Sequence, residues 1–390
     1  MSHSFSATSI KKMEHHLDAN IRILRSRIAE YAETGETFDL AKCLHHYMVD
    51  VLGQLAFSHN FEVQTSRDES SVPPVAAHGL IAVASGSWPF ILPYVRKWLP
   101  KIPHPGLQAL FKGRADCFKL ATSCVQRRFD QVKRGEKEWD EGSDILTNLI
   151  LAKHPDTGAH IARVDVEAES FGFIIAGTHT TSASETLLFY NLLHHPEIMQ
   201  KCVEEIDQKM PSLSAERDAY TWAEAEALLS YVKKCIKENF RATPVFTLPL
   251  ERTVADPEGV TIAGRHIKQG MTLAVCNHAF HHNPRVWGDD HDIFQPERWD
   301  DPETADRSRY LMHFGLGGRQ CLGKTVAHAN IYKLTATLLR EFDFQIANPE
   351  ERGKAAAGAF LGKLPNLRSK GVSELNEPLL VVARMREDKP

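Results

Sequence analysis

No run of eighteen apolar residues occurs in the 390-residue chain, so the sequence contains no evident membrane-spanning helix. The N-terminus, MSHSFSATSIKK, carries no apolar core of signal-peptide length, so the chain as written has no membrane anchor. The longest uncharged stretch, 79–95 (GLIAVASGSWPFILPYV), is interrupted by Pro89 and Pro93. It reads as a buried loop between helices, with a membrane-dipping or substrate-entry surface as the alternative. Cysteine is sparse and dispersed: seven residues, Cys43, Cys117, Cys124, Cys202, Cys235, Cys276 and Cys321, with no CxxC spacing. That excludes a disulfide framework or a zinc ribbon and points to reduced thiols in an intracellular compartment. Positive charge is in slight deficit, 46 Lys and Arg against 50 Asp and Glu, which gives a nucleic-acid partner no electrostatic support.

What is present is ordinary in bulk. A hydrophobic fraction of 43% with 25% charged residues suits a soluble globular protein with ample chain for a large core. No linker divides it, and one domain over 1–390 is expected. Ile10, Met13, Leu17, Ile21, Leu24, Ile28 and Tyr31 step by three or four residues and predict one helix ending before Gly35. Asp39 is placed to cap a second helix, and further helices are predicted over 110–133, from Asp144 onward and over 164–193. The loops 64–74, around 100–105 and 134–144 separate them, while VTIAGRHIKQGMTLAV and PLLVVARM read as short strands.

The chemistry concentrates at HFGLGGRQCLGK, His313 to Lys324. Cys321 lies among Gly315, Gly317, Gly318 and Gly323 and directly before an amphipathic helical pattern. Free amide groups and the positive end of the helix dipole at such a place favour a thiolate, and the glycines let backbone approach a flat ligand. Phe314, Gly317, Arg319, Cys321 and Gly323 fit Phe-x-x-Gly-x-Arg-x-Cys-x-Gly. A chance match to five fixed positions over this length is on the order of one in ten thousand. The pattern resembles the haem-binding loop of the cytochrome P450 family. The resemblance implies a mainly α fold with small β-sheets, in which Cys321 is the axial ligand of haem iron.

A second motif, AGTHTTS (Ala176 to Ser182), lies within the predicted long helix. Glycine inside a helix costs about 1 kcal/mol relative to alanine, so Gly177 makes room either for a neighbouring helix or for a ligand. The run resembles the family's oxygen-binding groove. By that resemblance Ala176 and Gly177 flank the oxygen site, and Thr180 donates a hydrogen bond there. His179 stands where the family has an acid; imidazole is a possible substitute in proton delivery, alongside a relay by water or another group.

The third motif, KENFR, places Glu238 and Arg241 on one helical face, and QPERW supplies Arg298. The resemblance implies a buried, structural charge network. It also implies that Arg252 and Arg319 pair with the haem propionates, and that Phe173, Ile174, Val245, Phe246 and Leu248 line the substrate pocket with Ala176. In AFHHNPRVWGDDHDIF, His282 and Asn283 replace the family's usual Arg and Asp.

Taken together, the resemblance implies a monooxygenase that inserts one atom of O2 into a small apolar organic substrate. Electrons would come from NADPH through a flavoprotein P450 reductase docking near Lys324. The style of the motifs resembles fungal members acting on polyketides or terpenoids. Two rivals stand beside this reading: a non-oxygenase haem-thiolate enzyme (isomerase, dehydratase or peroxide-using relative), kept open by His179, and a non-enzymatic remnant. The remnant arises because relatives carry a membrane anchor, strands and helices upstream of the point where this chain starts. Either the start codon is placed at an internal methionine, which the intact motifs favour, or the chain is a truncated product. Cytoplasmic location is expected for the chain as written, and the endoplasmic reticulum membrane for a longer form.

Overall fold

The computed structural model describes residues 2–66, 72–73, 97–134, 144–154, 156–213, 217–247, 249–348, 366–369 and 371–387. The stretch 79–95, most of 64–74 and of 134–144, and Leu248 lie outside the described residues.

The apolar pattern expected to make one helix from Ile10 makes two. Ser6 caps α1 (Ala7–Lys12), and α2 (Glu14–Thr34) runs to Gly35, whose φ of 68° ends it. Between them the Met13 amide reaches both Ser9 O at 3.3 Å and Ile10 O at 3.0 Å, a tightened turn that separates the two helices. Ile10, Met13, Leu17, Ile21, Leu24 and Ile28 remain fully buried, so the break leaves the stripe intact.

After β1 (Phe38–Asp39), the Asp39 carboxylate caps α3 (Leu40–Phe57) by accepting from the Ala41 amide at 3.0 Å. The short α4 (Val63–Ser66) occupies the start of the stretch read as loop. Next come α5 (Pro105–Lys133) and α6 (Ile145–Leu151), the latter capped by Asp144 through the Thr147 amide at 2.6 Å.

The predicted long helix is also divided, into α7 (Arg163–Gly177) and α8 (His179–His194). At the join the Thr178 hydroxyl donates to Ile174 O at 3.0 Å, and the Ser182 amide reaches Thr178 O only at 3.4 Å. Side-chain competition for helix carbonyls loosens the ladder there. Residues 181–189 of α8 are all buried, which makes it the central helix.

Three helices follow, α9 (Pro196–Lys209), α10 (Trp222–Leu228) and α11 (Ser230–Ala242). The glycine-punctuated stretch forms two small antiparallel pairs, β2 (Arg252–Thr253) with β5 (Thr272–Leu273) and β3 (Val260–Ile262) with β4 (Arg265–Ile267). The short α12 (Asn277–His281), α13 (Pro284–Trp287) and α14 (Pro302–Asp306) lead to α15 (Lys324–Glu341), buried from Ala329 to Arg340.

In β6 (Phe342–Ile346) the residues alternate, with Phe342, Phe344 and Ile346 inward. The hairpin of β7 (Leu367–Ser369) and β8 (Ser373–Leu375) precedes β9 (Leu380–Met385). β9 lies between β1 and β6, antiparallel to both, with Phe38 opposite Val381 and Phe344 opposite Ala383. Sequence-distant ends of the chain thus close one core with α2, α3, α8 and α15. Among the described residues, no helix is long and apolar enough to cross a membrane.

Candidate active site

The loop around Cys321 is built from two glycine turns. Gly315 and Gly317 have φ of 70° and 72°, values that a side chain at either position would strain. The Gly315 amide donates to Met312 O at 2.8 Å, and the Cys321 amide donates to Phe314 O at 2.7 Å, drawing the loop back on itself. Beneath it, Phe314 packs edge-on against Phe240 of α11 at 5.3 Å, and His313 stacks on the same ring at 4.4 Å. Phe314 is therefore the loop's anchor to the core. Gly323, immediately before α15 begins at Lys324, caps it through its backbone alone.

Cys321 is the exposed member of the cysteine set; five others are buried and Cys276 is half-buried. Burial of its surroundings pushes the thiol above its ordinary value, outweighing the Gly323 and Lys324 amides that pull it down. The helix-start position alone does not make the thiolate expected from sequence: desolvation wins. A coordinating metal cation would reverse that balance, because a metal-bound thiol is deprotonated outright.

The loop's exposed face fits haem. It offers one soft sulfur donor beside exposed Leu316 and Leu322, and a glycine backbone at 317 and 318 with open space where a Cβ would stand. Arg319 and Arg252 are both exposed, and among the described residues neither makes an ion pair. Among the described residues the Arg252 guanidinium has one hydrogen-bond partner, the neighbouring Glu251 carbonyl, at 2.8 Å. Two unpaired guanidinium forks suit two carboxylates.

Hydrogen bonds link the other sequence motifs to this loop. Asn277 donates to Met312 O at 3.0 Å and to Phe246 O at 3.4 Å. The Ser373 amide donates to Val245 O at 2.7 Å, which carries the β7–β8 hairpin onto the 245–247 segment. From that hairpin Glu374 reaches His179 at the α7–α8 break, Oε2 to Nε2 at 2.6 Å. Val245 and Phe246 are half-buried, whereas Leu248 is outside the described residues.

At the break, Ala176 is exposed and Thr180 is half-buried, with the Thr180 hydroxyl donating to Ala176 O at 2.7 Å. A Cβ on Gly177 would lie 2.7 Å from Leu52 Cδ1, so the room this glycine leaves is taken by α3. Ile174 departs from its expected place in the pocket wall. It is fully buried in the cluster holding Leu52, Ala121 and Val125, because its position on α7 faces α3 and α5. Phe173, half-buried, meets the ring of Phe5 edge-on at 5.8 Å.

Glu374 and His45 are the residues that sequence reasoning missed. His45 on α3 lies beside His179, ring centroids 5.2 Å apart, and its Nδ1 is 3.3 Å from the Ser182 hydroxyl. Burial, then the neighbouring His179, push His45 down to about 4. Burial alone would push Glu374 up, but hydrogen bonds and charge from His179 and Arg368 dominate and hold its carboxyl near 2. The carboxylate is therefore ionised, and His179 Nε2 donates to it. A lone glutamate 195 residues away carries no local signal, and only the fold pairs it with His179.

Glu238 and Arg241 are fully buried and joined by two hydrogen bonds of 2.8 and 3.0 Å. Arg298 adds a bond from Nε to Glu238 Oε1 at 2.9 Å and one from Nη1 to Asp290 Oδ1 at 3.1 Å. Arg241 donates to the carbonyls of His281, His291 and Ile293 at 3.0, 2.6 and 3.0 Å. Two carboxylates balance two guanidiniums, the condition under which buried charge is tolerated.

A family model described as Cytochrome P450 matches residues 1–365. Among curated proteins, the chain is 30% identical over 355 residues to cytochrome P450 monooxygenase cicH of Emericella nidulans, covering 89% of this chain and 68% of that one. It is 28% identical over 351 residues to a cytochrome P450 monooxygenase of Aspergillus terreus, covering 88% and 69%. It is 26% identical to cytochrome P450 monooxygenase ACRTS1 of Alternaria alternata, covering 89% and 92%. Among solved structures, the cytochrome P450DA heme domain superposes with a TM-score of 0.76 at 18% identity, covering 99% of this chain and 76% of that one. At that identity the superposition speaks for the fold alone.

Proposed function

The chain belongs to the cytochrome P450 family, and from that premise we propose that it is a haem-dependent monooxygenase acting on a small apolar organic molecule, with electrons from NADPH through a flavoprotein reductase. The fungal relatives support a secondary metabolite as substrate. One observation carries the reading: a single exposed cysteine in a doubly turned glycine loop at the start of a buried helix. When bound, haem supplies the activation of O2 and the insertion of one oxygen atom.

The chain's own residues then have separable tasks. Cys321 holds the iron as thiolate, and Arg319 and Arg252 pair with the haem carboxylates. Val245 and Phe246 contribute apolar wall on the 245–247 segment, and exposed Ala176 leaves space beside the α7–α8 break. The Thr180 hydroxyl is held by Ala176 O and retains lone pairs for a further donor. His179 keeps a proton at Nε2 against the Glu374 carboxylate, and this pair takes the place of the family's acid in proton delivery. The whole domain, 1–390, acts as one haem-thiolate unit.

Reconstitution of the full chain with haem tests the reading. The reduced carbon monoxide complex of the wild type is expected to show the red-shifted Soret band of thiolate ligation, and Cys321→Ser to lose it. A wild-type haem complex without that shift, or a shift that survives in Cys321→Ser, overturns the assignment. Incubation with NADPH, reductase and labelled O2 then separates a monooxygenase from an isomerase or dehydratase, since only the first yields product carrying one labelled oxygen atom.

A further inference from the structure

The segment between α12 and Arg298 holds a cluster that the proposed reaction does not use. His282 is nearly fully buried, its side chain 7% exposed, and its Nε2 lies 2.8 Å from the Ala242 carbonyl oxygen. A carbonyl only accepts, so Nε2 carries the ring's proton. The other nitrogen, Nδ1, lies 3.0 Å from Asp292 Oδ1. The same oxygen is 2.8 Å from His291 Nδ1, a buried atom that makes no hydrogen bond among the described residues. All three atoms lie within 4.8 Å of one another.

With that proton at Nε2, the ring's other nitrogen offers a lone pair rather than an N–H. Its Nδ1 lone pair then points at a carboxylate lone pair, an arrangement that lacks a positive centre between them. The nearby Arg241 guanidinium does not supply one, being bonded to Glu238 and three carbonyls. Separations of 2.8 and 3.0 Å bring two imidazole nitrogens to one carboxylate oxygen; tetrahedral ligand bonds of about 2.0–2.1 Å hold neighbouring donors about 3.3–3.4 Å apart, so an ion enters with a small outward shift of the three side chains.

We propose that His282 Nδ1, His291 Nδ1 and Asp292 Oδ1 form a binding site for a divalent transition metal such as Zn2+. Two imidazole nitrogens and one carboxylate select that class over Mg2+ or Ca2+. The Ala242 carbonyl is the outer partner that fixes the His282 tautomer and aims its ring. The His291 carbonyl accepts from Arg241 at 2.6 Å, so an ion here ties residues 288–293 to the ends of α11 and α12. Its role is structural, and it is independent of substrate and of haem.

The test uses the full chain, stripped by a chelator and titrated with Zn2+ and, separately, Co2+. The wild type is expected to bind one equivalent and to gain thermal midpoint with Zn2+ but not with Mg2+. Its Co2+ spectrum should lack a thiolate charge-transfer band, which separates this site from Cys321. His291→Ala and Asp292→Asn, both at partly exposed positions, should each weaken binding at least tenfold with an unchanged circular dichroism spectrum. Absence of stoichiometric binding by folded wild type, a thiolate band, or affinity unchanged in either folded variant overturns the site.

Discussion

At the scale of single residues, the informative pair is His179 with Glu374. The carboxyl is held near 2 in the folded chain, below the ordinary glutamate value of about 4.3. A depressed folded value contributes stability above the unfolded value, and that contribution is lost as pH falls through the folded one. The wild type should therefore lose thermal midpoint between about pH 4.3 and pH 2, whereas Glu374→Gln should start lower at pH 7 and fall less over that range. Parallel acid limbs for the two proteins would falsify the pairing. Neither residue announces the other in sequence: His179 is legible as a departure from a family pattern, while Glu374 sits in a stretch with no motif.

Elements show where backbone geometry leaves no latitude. The end of α3 folds back so that the His59 amide donates to Gly53 O at 2.9 Å. A Cβ on Gly53 would stand 2.4 Å from the His59 carbonyl oxygen and 2.7 Å from Phe61 Cδ2. The first of these is backbone and cannot withdraw. Gly53→Ala should cost about 3 kcal/mol, read as a lower urea midpoint at constant slope; a change under about 0.5 kcal/mol would show that the turn opens freely. Gly177 contrasts with it, since its obstacle is the tip of the Leu52 side chain, which can rotate. The two broken helices share a lesson. Apolar periodicity ran unbroken across Met13, because burial depends on the stripe, while the breaks at Met13 and Thr178 arise from hydrogen bonds that the sequence pattern does not report.

Over the whole molecule, charge is nearly balanced at −4, so docking of the proposed reductase would depend on local patches. Lys324 is exposed beside Cys321 at the start of α15. Lys324→Glu should slow electron transfer from the reductase several-fold at low salt, with the difference shrinking as ionic strength rises, and should leave the carbon monoxide spectrum unchanged. Equal rates at low salt would place docking elsewhere. Cys202 and Cys235, far apart in sequence, are brought together in the core with their sulfurs 3.4 Å apart.

Some features of this protein follow from sequence alone because they are local. Asp39 and Asp144 cap the helices they precede, and the glycines around Cys321 adopt the turns that only glycine permits. Spacing within one helix places Glu238 against Arg241, and family resemblance adds Arg298. Other features depend on which distant segments meet. The fold alone put Ile174 in the core, took up the room at Gly177 with Leu52, brought Glu374 to His179, and set His282, His291 and Asp292 around one point. The division is physical: backbone conformation and capping are decided over a few residues, whereas desolvation and charge pairing are decided by neighbours that only tertiary packing supplies.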